Sequence, residues 1–427
     1  MKLVKSPEKK DWPDIIRRPV MDTTALAEKV RTILNDLQRN GDAALRQYTR
    51  QFDGYEGTEI RVTPAEFATA SGKLDPALKT AIRVAANNIR KFHEAQQQEP
   101  ELIETMPGVR CWRAAVGIEK VGLYIPGGTA PLFSTLLMLG IPAIIAGCKE
   151  IILCSPPDAA GNLHPALLFA ANEIGINKVF RAGGVQAIGA MAYGTETVPA
   201  VYKIFGPGNQ YVTCAKQLVQ QDGIAIDMPA GPSEVAVLAD HTANAGYLAA
   251  DLLSQAEHGA DSQVLLVVTE EKLAQQVQQC LLNQLEKLPR RDLAEKALAA
   301  SHLVVMPSKG LAMELLNAYA PEHLILATED ALALSREVVN AGSVFIGHFS
   351  PESVGDYASG TNHTLPTNGF ARAYSGVSLD SFVKKITYQQ LTSEGLRQIA
   401  PAVIAMARAE GLDAHANAVS IRLEKNQ

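Results

Sequence analysis

What this 427-residue chain lacks narrows its class before any motif is considered. It holds five cysteines (Cys111, Cys148, Cys154, Cys214 and Cys280), an odd number with no CxxC or CxxxC spacing. That argues against a disulfide framework and a cysteine-rich zinc knuckle, and it fits a reducing, cytoplasmic setting. No long basic run occurs, and 39 Lys and Arg against 45 Asp and Glu leave a formal charge of −6. Nucleic acid and anionic membrane surfaces are therefore not expected partners. The opening residues contain no apolar core of a secretory signal. The longest uncharged stretch runs 28 residues, from Val121 to Cys148. Its length would span a bilayer, but Pro126, Gly127, Gly128, Pro131, Gly140 and Pro142 interrupt it, so it reads as buried core rather than one apolar helix. Neither a GxGxxG fingerprint, a low-complexity segment nor a short repeat is present.

What remains is an ordinary globular composition, 47% hydrophobic and 20% charged, long enough for two or three domains. Apolar positions recur at helical spacing at Ala25, Val30, Ile33 and Leu37, with Gly41 as a stop. A second helix is expected over 76–98, with Leu78, Ala81, Ile82, Ala85 and Ile89 on one face. Both read as packing elements. From about Val116 the pattern changes to short strands (120–125, 150–154, 178–181, 202–205) that end in Gly- or Pro-rich turns and alternate with helices. A second such run follows at 263–268, 303–306, 324–327 and 343–346. Strands alternating with helices imply parallel βαβ units, hence an α/β fold with two doubly wound lobes and a mostly helical tail after about Leu379.

In doubly wound sheets ligands bind beyond the carboxyl ends of strands. Three turns of the first lobe are placed there: Tyr124-Ile125-Pro126-Gly127-Gly128, Gly183-Gly184-Val185-Gln186 and Gly206-Pro207-Gly208-Asn209. Glycines at such points let backbone N–H groups approach a phosphate or ribose. Any one such turn is more often a ligand-free connection; three on one sheet edge make the two readings even. Gln255 and His258, spaced i, i+3 after the apolar helix around Leu248, Leu252 and Leu253, would share one helix face and could share a metal. Such a pair is more often a solvated helix end. Glu322-His323 supplies an adjacent acid and imidazole at a strand start, a proton-transfer pair or an ordinary surface edge. Asp356 and His363 lie seven residues apart in a Gly/Ser/Thr/Asn loop, and Glu410 and His415 flank a helix break near the C-terminus. The other five histidines (His93, His164, His241, His302 and His348) show no partner pattern.

Taken together, these segments closely resemble histidinol dehydrogenases. The shared stretches are VGLYIPGG at Val121–Gly128, FGPGN at Phe205–Asn209, DMPAGPSE at Asp227–Glu234, DLLSQAEHG at Asp251–Gly259, GDYASGTNH at Gly355–His363 and the pair Ala414-His415. They extend the likeness from about Thr23 to Arg422. The resemblance implies a zinc-dependent, four-electron oxidation of L-histidinol to L-histidine through L-histidinal with two NAD⁺, the last step of histidine biosynthesis. It implies incomplete Rossmann-like lobes with helical N-terminal and C-terminal extensions, in a domain-swapped homodimer. One Zn²⁺ per subunit would be held by Gln255, His258, Asp356 and His415, the last from the partner chain. Glu322 and His323 would be the catalytic pair. Ser233, Gln255, His258, His323, Asp356, Glu410 and His415 would contact substrate, with His363 lining the site, and Tyr124, Gln186 and Asn209 would contact NAD.

The expected division is an N-terminal arm (1–22), a first domain with the metal and catalytic residues (23–118 with 235–378), a second with the NAD turns (119–234), and a tail (379–427) completing the partner's site. The chemistry suits these residue types. Alcohol oxidation needs a base for the hydroxyl proton, a role for the His323 imidazole; hydration of the aldehyde needs an activated water, a role for Glu322. Zinc would orient the substrate's amine and imidazole nitrogens. The rival readings are a thiohemiacetal route through Cys111 or Cys154, a zinc-dependent hydrolase, and a non-catalytic two-lobed binding protein. The first finds no sign of a lowered thiol pKa, and the second leaves the Gly-rich turns unused.

Overall fold

The uninterrupted apolar runs become parallel strands in the computed structural model, which describes residues 1–18, 24–127, 132–229 and 231–424. In chain order the strands are β1 (Lys2–Lys5), β2 (Ile103–Met106), β3 (Val109–Gly117), β4 (Lys120–Tyr124), β5 (Glu150–Ser155), β6 (Val179–Arg181) and β7 (Lys203–Phe205). They continue as β8 (Ala225–Ile226), β9 (Glu234–Ala239), β10 (Gln263–Val268), β11 (His302–Val305), β12 (His323–Ala327), β13 (Ser343–Ile346) and β14 (Val383–Leu391). A five-stranded sheet has the order β6-β5-β4-β7-β8, a six-stranded sheet the order β1-β11-β10-β9-β12-β13. Every pairing in both is parallel. Both sheets carry helices on their two faces, so central strands are buried on both sides; all residues of β9 and β10 are buried. That explains why these strands read as continuous Val, Leu and Ala rather than alternating.

One face of the five-stranded sheet packs against helices 64–72, 76–94, 133–145 and 165–173 through Phe67, Ile82, Ile89, Leu136 and Phe169. The other packs against helices 24–53, 184–193 and 210–221 through Val30, Leu34, Leu37, Ile188 and Val212. Helices 245–256, 271–285 and 291–299 cover one face of the six-stranded sheet. Helix 309–319 and the aromatic-aliphatic pair Trp12 and Ile15 cover the other. Burying each such side chain contributes roughly 1.5–3 kcal/mol, so these layers fix which lobe each segment joins.

Several expectations are corrected. Residues 24–94 pack on the five-stranded sheet, together with 119–234, not with 235–378. Their apolar stripes pack on the first lobe's two faces beside its own four helices, 133–145, 165–173, 184–193 and 210–221. The N-terminal arm is not free, because β1 pairs with β11 along its whole length. Gly41 breaks the first helix at φ 49, as its stop signal implied, but the helix resumes and reaches Asp53. The helix begun at Pro76 ends at Glu94, four residues before the expected 98. Strand β9, central in its sheet, is absent from the expected strands, which in the second lobe begin only at 263. The tail opens with a single 3₁₀ turn, Leu379–Phe382, and then a strand: β14 pairs antiparallel with β3 from Val383 to Leu391, and β2 completes a three-stranded ribbon. Helices Ser393–Ala409 and Asp413–Glu424 follow. Among the described residues no helix is long and apolar enough to cross a membrane.

Candidate functional site

Strands β4 and β7 are neighbours, but the chain continues from β4 to β5 and β6 on one side and from β7 to β8 on the other. Their carboxyl ends therefore part and open a crevice. The turn after β7 needs glycine first: Gly206 has φ 129, and a β carbon there would run into the Tyr124 carbonyl. A cavity of about 1150 Å³ occupies the crevice, lined among others by Asp53, Tyr124, Gly127, Gln186 and Asn209. The Tyr124 hydroxyl accepts from the Gly184 N–H at 3.1 Å, and burial pushes its phenol up to about 12. Asn209 Oδ1 caps helix 210–221, accepting from the Tyr211 and Val212 N–H groups at 3.0 and 3.2 Å, a cap that leaves its NH₂ unused. Gln186 Nε2 donates to Asp53 at 3.0 Å. Gly128, expected in the first turn, lies outside the described residues.

A second cavity, of about 750 Å³, shares Asn209 with the first and reaches Ser233, His258, Glu322 and His363. Ser233 precedes β9 and Glu322 precedes β12, so this chemistry sits at the amino ends of the six-stranded sheet. The His323 Nδ1–H donates to the Glu234 carbonyl at 3.1 Å, which leaves Nε2 as the nitrogen that exchanges a proton. Nε2 lies 3.4 Å from Asp356 Oδ1, off the line of a hydrogen bond, and has no hydrogen-bond partner among the described residues. Burial disfavours the charged ring, but Glu352, Glu322 and Asp356 outweigh it and hold the imidazole protonated well above its usual range. Burial pushes the Glu322 carboxyl up to about 8, against the attraction of His323 and a 2.9 Å hydrogen bond from the Glu234 N–H. Asp356, despite burial, is held below its usual value by His323, His363 and His258.

Gln255 and His258 reach this cluster by a route slightly different from the expected one. The helix ends at Ala256, so His258 stands in the turn beyond it rather than on the helix face. That turn is closed by the His258 N–H donating to the Gln255 carbonyl at 3.2 Å. The side chain opens to solvent in the cleft, yet loss of hydration there holds the imidazole below its usual range even with Asp356 beside it. Gln255 is wholly buried; assigning its amide oxygen and nitrogen by complementarity with their neighbours turns the NH₂ toward Glu352 and sets the oxygen 3.2 Å from the Glu234 N–H. His363 is pinned between the Asp356 carbonyl at 3.0 Å and Thr135 at 2.9 Å.

Amide, imidazole and carboxylate donors thus converge beside an excess of buried carboxylates. Glu322, Glu352 and Asp251 are all raised by burial, and Glu352 also by Asp356, Glu322 and Asp251. His323, Glu352 and Asp356 present ligand atoms within 4.8 Å of one another. A divalent cation fits this donor set and would balance its charge. Glu410 and His415 do not join it within the chain: both are exposed on the tail.

Four residues were missed. Glu352, fully buried, is spaced i, i+4 from Asp356 on helix Glu352–Tyr357, a spacing visible in the sequence. His164 lines the crevice, and its Nδ1 accepts from the Ala166 N–H at 3.2 Å. Asp53 and Arg18 come from distant segments that no local pattern links to the site. Cys154 is core, its thiol raised by burial.

A parted sheet edge of this kind receives a dinucleotide, and a buried imidazole next to it moves protons; together they make an NAD-dependent oxidoreductase. Within that class the chain belongs to the histidinol dehydrogenase family, whose model matches residues 16–423. The histidinol dehydrogenase of Bacteroides fragilis is 60% identical over 425 residues, covering 100% of this chain and 99% of the relative. That of Vibrio cholerae is 52% identical over 416 residues, 97% and 96% of the two chains. The crystal structure of histidinol dehydrogenase from Elizabethkingia anophelis is 55% identical and superposes with a TM-score of 0.98 over 99% of this chain and 98% of that one.

Proposed function

We propose that the enzyme oxidises L-histidinol to L-histidine through L-histidinal with two NAD⁺, at a site assembled from two subunits. Gln255, His258 and Asp356 would hold one Zn²⁺ together with the partner subunit's His415. Zinc there would orient the substrate by its amine and imidazole nitrogens, and its charge would weaken the hold of His323 on its proton. Tyr124, Gln186 and Asn209 would hold NAD⁺, which would supply the hydride acceptor for both half-reactions.

This chain's own groups do the rest. His323 takes the hydroxyl proton of the alcohol through Nε2, the nitrogen left free by the Glu234 carbonyl. Glu322, once ionised, draws a proton from water as that water adds to the aldehyde. His323 returns its first proton to the carbonyl oxygen as the water adds and, neutral again, takes a hydroxyl proton from the resulting gem-diol. Ser233 and His363 line the chamber and Asp356 steadies the imidazolium.

The single observation that carries the reading is that the crevice and the chamber of Glu322 and His258 adjoin at Asn209, which lines both: the proposed cofactor site lies next to the proton-transfer groups. Support for a two-subunit site comes from exposed apolar surface. Of the tail helices only Gly395, Ala400, Ala407 and Ala416 are buried, while Met406, Leu412 and Ile421 are 65%, 43% and 43% exposed. Beside Asp356, Val354 and Tyr357 stand open as well, a surface a partner's tail would cover. The test is to incubate the protein with histidinol and NAD⁺ and follow NADH absorbance, with two NADH expected per histidinol consumed. No NADH, or turnover of an amide or ester without NAD⁺, overturns the reading in favour of a hydrolase.

A further inference from the structure

The crevice holds a polar atom left unsatisfied among the described residues. Gln186 is wholly buried, and its Oε1 has no hydrogen-bond partner among those residues. That oxygen lies 3.0 Å from where a β carbon on Gly184 would sit, and both Gly184 and Gln186 line the cavity. Leaving a buried amide oxygen unpaired is unfavourable, so its orientation needs a cause.

Asp53 supplies one. It is the last residue of the long N-terminal helix, delivered to the crevice from outside the strands and turns of the first lobe. Its carboxylate accepts from Gln186 Nε2 at 3.0 Å and from the Gly183 N–H. A β carbon on Gly183 would lie 2.8 Å from Asp53 Oδ1, so glycine is what allows this approach. An ionised carboxylate can only accept. An amide beside it must therefore turn its NH₂ inward and its oxygen away.

We infer that Asp53 is a positioning residue for the dinucleotide: it fixes the Gln186 amide so that Oε1 faces the crevice as an acceptor for a donor hydrogen of the cofactor. This rests on the crevice being the NAD⁺ site. Asp53 touches Gln186 and Gly183, and acts through them.

The experiment is calorimetric titration of NAD⁺ into the parent enzyme, Asp53→Asn, and Asp53→Asn combined with Gln186→Glu. Asparagine keeps the size of the side chain but can face Gln186 in either sense, so the acceptor is no longer imposed. NAD⁺ should bind about tenfold more weakly to the single variant, the worth of one hydrogen bond. In the double variant the introduced amide donates to one oxygen of the introduced carboxylate and leaves the other as an acceptor, at the parent's net charge, so affinity should largely return. The KM for histidinol at saturating NAD⁺ should be the parent's in the single variant, which a general loss of structure would not allow. Parent-like NAD⁺ affinity in Asp53→Asn, or a double variant no tighter than the single, overturns the inference while leaving the crevice assignment intact. A parent that takes up no NAD⁺ overturns the crevice assignment and this inference with it.

Discussion

Replacing Arg18 by Met tests whether the N-terminal segment braces the proton-transfer pair from behind. Arg18 makes a two-point pair with Glu234, one arm at 2.8 Å. It also donates to the Tyr319 carbonyl at 2.8 Å and lies over the Tyr319 ring at 4.1 Å. The side chains of Arg18 and Glu234 are only 12% and 2% exposed, so water cannot take over for a missing partner. Breaking a buried pair by removing one member costs about 3–5 kcal/mol. The Asn368 N–H still donates to Glu234 at 2.8 Å, which favours the lower end; the lost ring contact adds about 0.5–1 kcal/mol. The expected loss is therefore about 3–4 kcal/mol.

The consequence for chemistry follows from the same residue, because the Glu234 carbonyl aims the His323 ring and the Glu234 N–H holds Glu322. Arg18→Met should lower kcat as well as stability. Urea unfolding followed by fluorescence of Trp12, buried on the same sheet, gives the first number and steady-state turnover the second. Arg18→Met with Glu234→Gln should recover at least half of the stability, since a neutral amide does not strand a charge. A single variant within about 1 kcal/mol of the parent, or a double variant no better than the single, would refute the argument.

His258→Ala and His415→Ala should each lower zinc per chain and turnover; full zinc retention in both removes the site assignment. Glu322→Gln should slow oxidation of supplied histidinal more than it slows the first step. Because Glu322 titrates at about 8 and acts as a base only when ionised, parent histidinal oxidation should rise with pH through that value and the variant's should not; equal profiles would refute the role. Mixed Gln255→Ala and His415→Ala chains should regain roughly a quarter of parent activity, since half the dimers pair both lesions in one site and spare the other. Confirmed subunit exchange without recovery would place the tail on its own chain.

Much of the lobed α/β plan could be read from strand-helix alternation because central parallel strands are apolar throughout. The misses share a physical cause. β1, with lysine at both ends, is an edge strand whose pairing depends on a partner 300 residues away. β14 has both faces exposed and so shows no inward pattern. Which sheet the helices of residues 24–94 cover is decided by complementary apolar faces, not by any local signal. At the site, the residues with local spacing were found, and Glu352 had a spacing that went unused. Asp53 and Arg18 act across 133 and 216 residues of chain, and nothing in their neighbourhoods marks them.

The placement of the second cavity shows why the rule of carboxyl-end binding explains one lobe and misleads in the other. Both sheets repeat one order, with β4 and β9 as first strands and β7 and β12 as fourth, so each has its own switch point. In the second lobe that point, beyond Ala239 and Ala327, is filled by its own ions: Lys309 lies 2.7 Å from both Asp240 and Asp330, and Asp240 also accepts from the Thr242 and Glu329 N–H groups at 3.0 and 3.1 Å. A carboxylate satisfied in this way is held ionised, at about 2, and offers a substrate little. The opposite end of the same sheet brings Ser233, Glu322 and His323 to the turn that follows β7. One lobe thus contributes its parted carboxyl ends and the other its amino ends, and only their meeting sets proton-transfer groups beside a dinucleotide crevice.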